Sequence, residues 1–337
     1  MFVQEYRGAK GFDALRNEWE KIRGWIYHPH IFSTWEWLYN WWNCLSSRED
    51  PVLLAVREQN GVLRGLAALL FHVGKTGVTV RFLGDVNTCD YMDFLFQEGY
   101  EEPVLLTLIT YLGEELGPGG KMDLWGIPAF SPTTEMLSGL AGSLGMEVEP
   151  VVEEGAPILE LPAGWEDYLT LLNKKDRHEL RRKLRRIHRE AQVKFLVVEE
   201  VEALVREIPS FLELHGKSSY AKEGFMNQQM QEFFTSLPKA LGSRGWMVLY
   251  FLLLDGEKAA SLLCFRYEGT IFAYNSGYDP RFSRLSPGLA VFALAIDKAI
   301  AEGYRRFDFL RGQEDYKYRL GAVNRPIYRL QVIKKLL

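Results

Sequence analysis

The sequence predicts an α/β protein made of two tandem copies of one unit, each a mixed, largely antiparallel sheet flanked by helices. Three observations carry this reading. Tight-turn dipeptides sit between apolar runs in both halves, Asn60-Gly61 in the first and Asp255-Gly256 in the second, and each predicts a hairpin. A helix follows in each half, ending near Leu116 and near Glu302. A short apolar strand with one aspartate comes next, Met122-Asp123-Leu124-Trp125-Gly126 in the first copy and Phe307-Asp308-Phe309-Leu310-Arg311-Gly312 in the second. The shared order argues for duplication, with domains at 1–150 and 151–337.

In chain order, Phe12 to Ile22 reads as a helix with Leu15, Trp19 and Ile22 on one face. A second helix begins at Ser33-Thr34, either of which can cap it, and carries Trp35, Trp37, Leu38, Trp41 and Trp42. Aromatic residues at this spacing are core, with a stacking platform for a sugar or base as the lesser reading. Strands at Val52 to Arg57, Val62 to Phe71 and Val78 to Leu83 lead to the loop Cys89-Asp90-Tyr91-Met92-Asp93-Phe94, then to a helix from Glu102 to Leu116. Gly139 to Gly155 reads as the junction between halves.

Pro157 to Leu161 is a short strand and Trp165 to Leu172 a helix. Lys174 to Gln192 is a strongly basic helix whose Leu180, Leu184 and Ile187 mark the apolar face. Its cationic stems cover apolar surface, or the face binds phosphate; acidic residues within it and an acidic chain overall argue against a nucleic-acid site. Helices over Glu202 to His215 and Asn227 to Leu241 flank a polar loop that starts at His215. As a lone histidine at a helix end, His215 is a dipole-facing cap or a working group.

The second copy ends on the stretch from Trp246 to Arg319. A strand from Ile271 to Ser276 empties into the polar loop Gly277 to Leu285, and a helix opens at Ser286-Pro287-Gly288. Strand, loop and helix start together present free backbone N–H groups and a helix dipole to an anion. The first copy lacks this opening and carries Asp90, Tyr91 and Asp93 in its loop instead.

Composition narrows the function. A net charge of −4 gives no global attraction to nucleic acid or to an anionic membrane. Cys44, Cys89 and Cys264 are scattered, with no CxxC pair, which excludes a zinc-ligand pattern and points to a reducing, cytoplasmic setting. The amino terminus has no signal-peptide pattern and no apolar run reaches membrane-span length. Neither G-x-S-x-G, G-x-x-x-x-G-K-[ST] nor HExxH is present, so serine-hydrolase, P-loop and zinc-protease chemistry drop out.

Asp255-Gly256, Gly277-Tyr278-Asp279, Ser286-Pro287-Gly288 and above all Asp308-Phe309-Leu310-Arg311-Gly312 with Tyr316-Lys317 resemble the acyl-CoA-binding half of the GNAT acyltransferase fold, in its large two-domain CelD-like and FemAB-like branch. The resemblance implies tandem GNAT-like units and transfer of an acyl group from acetyl-CoA or another acyl-CoA to an amine on a small molecule, glycan or peptide, in envelope or exopolysaccharide synthesis. The alternatives are a FemAB-type transferase drawing on aminoacyl-tRNA, the one case that would bring in nucleic acid, and a non-catalytic accessory protein of polysaccharide synthesis. Direct attack by the amine needs a base, from His215, Asp279, Asp308, Asp90 or Asp93, and an acid for the leaving thiolate, Tyr278 or Tyr316. The resulting expectation makes His215, Asp308 and Tyr316 catalytic and Tyr278, Asp279, Ser286 and Gly288 cofactor-binding, with no metal. Asp90, Tyr91 and Asp93, in a cleft between domains, with Lys217 and Lys317, bind the acceptor. One departure from the family pattern stands out: the phosphate turn, Arg281 to Gly288, holds a single glycine and a proline that removes one N–H.

Overall fold

Two hairpin turns in the second half show local sequence setting the backbone directly. Asp255 and Gly256 have φ of 51° and 85°, and Glu268 and Gly269 have 45° and 77°. Positive φ at both central residues is the type I′ turn, whose twist matches that of the strands it joins. The structure, a computed structural model, describes residues 1–23, 29–46, 49–75, 77–117, 119–218 and 226–334. Its contacts divide the chain into two units, Met1–Gly155 with Arg325–Leu337, and Ala156–Asn324.

In the first unit β1 (Phe2–Arg7), β2 (Val52–Arg57), β3 (Leu63–Gly74) and β4 (Gly77–Phe82) pair antiparallel in that order. The short β5 (Leu95–Phe96) pairs with β3. β6 (Lys121–Pro128) joins β4 in parallel, Thr79 opposite Lys121 and Val80 opposite Met122. The helices are α1 (Gly8–Arg23), α2 (Trp35–Leu45), α3 (Glu101–Leu116) and α4 (Thr133–Ala141). Thr34 caps α2, its hydroxyl accepting from the Trp37 amide at 3.2 Å. Trp37 and Trp41 are buried, and Phe12 stacks on Trp19 and Trp42 at 5.8 Å each, so the aromatic cluster builds core.

β7 (Met146–Glu160) carries the chain into the second unit, followed by α5 (Trp165–Leu171) and α6 (Lys174–Glu190). The order then repeats that of the first unit: β8 (Val193–Val198), α7 (Val201–Lys217), α8 (Gln228–Leu241), β9 (Met247–Leu254), β10 (Glu257–Tyr267), β11 (Thr270–Tyr278), α9 (Pro287–Ala301), β12 (Arg306–Asp308) and α10 (Asp315–Arg319). β8 to β11 again pair antiparallel in sequence, and β12 again joins the fourth strand in parallel. Duplication is therefore visible in ladder direction as well as element order. α9 packs its Ala290, Val291, Ile296 and Ala299 into a core with Tyr250, Leu252, Cys264, Ile271 and Ala273. On the other face Phe234 of α8 meets Phe211 of α7 at 5.9 Å and Tyr274 at 6.0 Å.

Some features differ from the sequence reading. Residues 139–155, read as a junction, contain the end of α4 and two thirds of β7. β13 (Val323–Lys334) pairs antiparallel with β6, so the chain from Arg325 belongs with the first unit rather than with 151–337. The sequence pattern does not announce β1, α4, β8, α10 or β13. β1 exposes Phe2 and alternates poorly, and β13 carries Pro326 inside its span.

Candidate active site

β11 and β12 run together only from Thr270 opposite Arg306 to Phe272 opposite Asp308. β12 stops there, while β11 continues for six residues to Tyr278 with its β12-facing edge unladdered. Within that stretch the β10–β11 register passes from Leu263 opposite Asn275 to Cys264 opposite Ala273, which makes Tyr274 a bulge. Strands that part beside a bulge leave backbone groups and side chains open to a ligand.

Gly277 explains how α7 approaches this edge. A Cβ there would sit 2.3 Å from the His215 amide nitrogen and 2.4 Å from the Leu214 carbonyl carbon. Only glycine permits that contact, and a glycine inside a strand is its sequence signal. The contact holds His215, 1% exposed in the last turn of α7, against Asn275, with Nε2 3.2 Å from Oδ1. With the proton on Nε2 the ring donates to the amide oxygen, leaving Nδ1 with the lone pair. The first residues after His215 are described; residues 219–225 of the loop singled out there lie outside the described ones.

Beyond Tyr278 the chain makes a 3₁₀ helix, Pro280–Leu285, capped by Asp279. Asp279 is buried, its carboxylate accepting from the Arg281 amide at 2.9 Å and from Arg281 Nε at 3.0 Å, with Lys217 Nζ at 3.6 Å. The Arg281 hydrogen bond holds its carboxyl below the usual range. Lys217 also donates to Glu213 at 2.6 Å, which raises its ammonium. Ser286 then takes φ 55° and ψ 49°, left-handed for a residue with a side chain, and turns the chain into α9. Pro287 has no N–H, and Gly288 and Leu289, in the first turn, have no intrahelical acceptor for theirs. No acidic residue occupies that turn. The end of α9 is thus electropositive and unneutralised.

On the other side of the opening, Leu310 is a second left-handed residue, φ 59°. It is clamped from both ends. Its amide donates to Asp308 Oδ1 at 2.8 Å, and the buried Lys317 ammonium donates to its carbonyl at 3.2 Å. Lys317 also reaches the carbonyls of Arg311 and Gly312, at 2.8 and 3.0 Å, and Glu314 at 3.0 Å. Its charge is therefore spent on the 310–312 turn. Tyr316 is half-buried, its ring 5.2 Å from Phe292 and 6.4 Å from Phe309, and desolvation raises its phenol well above the ordinary value. Asp308 lies level with Phe272, and Asn275 three residues further along β11, so the two stations are about 10 Å apart along the strand.

His215, Tyr278, Asp279, Ser286, Gly288, Asp308, Tyr316, Lys317 and Lys217 all belong to the second unit. Asp90, Tyr91 and Asp93 belong to the first. There Tyr91 is 1% exposed, beside the His30 ring at 5.7 Å. Asp93 Oδ1 accepts from Thr133 Oγ1 at 2.6 Å and from the Phe94 amide at 2.8 Å, and desolvation pushes its carboxyl up to about 6. The helix equivalent to α9, α3, opens on Glu101 and Glu102, which occupy the position an anion would take. Cys89 and Cys264 are buried, and desolvation raises both thiols, which disfavours a thiolate nucleophile. Among the described residues no group of three or more His, Cys, Asp or Glu could hold a metal ion. Sequence reasoning missed Asn275 and the clamp on Leu310, because both join residues distant in the chain.

Residues 174–318 match the acetyltransferase (GNAT) domain family. A GNAT domain therefore occupies most of the second unit. In fold it is similar to the crystal structure of FemX, at 12% identity and a TM-score of 0.67, covering 93% of this chain and 95% of that one. It is also similar to a conserved protein of unknown function from Bacteroides thetaiotaomicron VPI-5482, at 12% identity and a TM-score of 0.62, over 95% and 97%. A tandem GNAT protein from the clavulanic acid biosynthesis pathway aligns at 11% identity and a TM-score of 0.50, over 99% of both chains. No curated protein matches the chain in sequence. The fold is that of tandem GNAT proteins and of the FemAB-like branch. The GNAT match stops one residue short of Arg319, within α10.

Proposed function

We propose that this protein is an acyl-CoA-dependent N-acyltransferase, with its donor site in the second unit. The carrying observation is the parting of β11 and β12 beside an α9 N-terminus whose first-turn amides are unneutralised. In this reading the Gly288 and Leu289 amides receive the pyrophosphate of CoA, and the thioester lies along residues 273–278 of β11. Tyr278 lines the approach: a Cβ at Gly288 would meet its ring at 3.6 Å. The acceptor nitrogen attacks the thioester carbon, the C–N bond forms and the C–S bond breaks. His215 takes the amine proton, directly or through one water, and Tyr316, protonated at neutral pH, supplies the proton that leaves with the thiol. Asp308 fixes the Leu310 turn, and Asp279 anchors the loop before α9.

We assign Asp90, Tyr91 and Asp93 to acceptor recognition and place the reaction in the cytoplasm, where thiols such as the three unpaired cysteines stay reduced. Among the described residues no helix is long and apolar enough to cross a membrane. An acceptor from envelope or exopolysaccharide synthesis follows from the family resemblance. Release of free CoA from acetyl-CoA in the presence of an amine panel tests the reading. Turnover should fall by one to three powers of ten in Tyr316→Phe, roughly the range of a general acid; unaltered turnover removes Tyr316 from the mechanism. One observation favours a second donor, aminoacyl-tRNA: Pro287 deprives the phosphate turn of an N–H. Transfer from aminoacyl-tRNA with no reaction from any acyl-CoA would select it.

A further inference from the structure

α6 carries more positive charge than any other element, and its cations are not distributed evenly. Most of those in the middle and at the end are matched, Arg185 being an exception. Arg181 pairs with Glu166 at 2.7 Å, Arg182 with Glu179 at 2.7 Å, and Arg186 and Arg189 with Glu190 at 3.2 and 3.0 Å. At the other end Lys174 and Lys175 are exposed, and among the described residues neither has an ion-pair partner.

These two lysines, with His178, Glu179 and Arg319, line an open cleft of about 760 Å³. Two of the liners are already neutralised. Arg319 pairs with Asp176 at 3.2 Å, and Glu179 is held by Arg182 so firmly that its carboxyl titrates at about 2. The side chain of Asn173 caps α6, accepting from the Asp176 amide at 2.9 Å, so that amide is satisfied and the unmatched charge sits on side chains. What remains uncompensated is two ammonium groups, with an imidazole one turn on. A phosphate monoester carries about −1.5 to −2 at neutral pH and offers three acceptor oxygens. It matches the cleft in both charge and donor number.

We propose that the cleft formed by Lys174, Lys175, His178 and Arg319 binds a phosphate monoester, free or carried by a small organic molecule. The site does not rest on the choice of acyl donor. It lies at the opposite end of α6 from Glu190, which pairs with Arg284 of the 3₁₀ helix before α9 at 2.9 Å. A helix of 17 residues separates the two ends by about 25 Å. Arg319 closes α10, the helix that also carries Lys317.

Calorimetric titration of the full chain at matched ionic strength, with inorganic phosphate, ribose 5-phosphate and chloride, tests this. Saturable binding of phosphate but not chloride is expected. It should weaken at least tenfold in the Lys174→Ala/Lys175→Ala double variant and stay within twofold in Arg185→Ala, which removes an exposed cation elsewhere on α6. Ribose 5-phosphate binding several-fold tighter than phosphate identifies an organic carrier, and equal affinities identify phosphate itself. Gly288→Val should leave this binding intact. The proposal is overturned by absence of saturable binding, by undiminished binding in the double variant, or by loss in Gly288→Val alone, which would place the anion at α9.

Discussion

Lys317 is a buried cation with four oxygen partners, and three of them are backbone carbonyls of one turn. That turn contains Leu310, whose left-handed backbone persists because Asp308 and Lys317 grip it on either side. Truncating Lys317 leaves buried acceptors unpaired, which costs about 1–3 kcal/mol for a group of this kind. Lys317→Ala should therefore lower the melting temperature by several degrees and reduce turnover together. A variant with wild-type stability and only a raised KM would assign the ammonium to substrate instead. Asp93 makes a pH-dependent prediction. Desolvation pushes its carboxyl up to about 6 in the folded chain, above the ordinary aspartate range, so folding favours the protonated form. That stabilisation is full below about pH 4 and is lost as pH rises through 6. Asp93→Asn should accordingly be more stable than wild type at pH 8, by on the order of 1–2 kcal/mol, with the gain vanishing near pH 4. Melting curves across that range check it, and a constant difference would contradict it.

At the scale of elements, the contact between α7 and β11 decides where His215 stands. Gly277 has no room for a methyl group against backbone atoms of another helix, and backbone cannot yield as a flexible side chain can. Gly277→Ala should force α7 off the strand, costing roughly 1–3 kcal/mol and lowering activity through His215. Wild-type melting and turnover in that variant would mean that the approach is looser than described. What the sequence made legible follows the same logic of distance. The hairpin turn at Asp255-Gly256 and the Ser286-Pro287-Gly288 start of α9 depend on neighbours in the chain, and the sequence shows them. The tandem order was readable for that reason too. The 139–155 segment, the edge strand β1 and the Pro326-containing β13 take their structure from partners elsewhere, and the pattern there was weak. The site divided similarly: the opening of α9 was visible, whereas Asn275 beside His215 and the carbonyl cage around Lys317 require the fold.

For the whole molecule, duplication produced two units with one topology and opposite electrostatics at equivalent helix starts. α3 begins on Glu101 and Glu102, while α9 begins on Pro287 and Gly288 with no acid in its first turn. Of these two equivalent helix starts it is α9 that is prepared for an anion, so the account requires one donor site per chain. Titration calorimetry of the intact protein with acetyl-CoA measures this directly. The account predicts a stoichiometry of one and at least a tenfold loss of affinity in Gly288→Val, about 1.4 kcal/mol, with the melting temperature essentially kept because the new Cβ meets Tyr278 only at ordinary contact distance. Two sites per chain, no binding of acetyl-CoA, or undiminished affinity in Gly288→Val would contradict it.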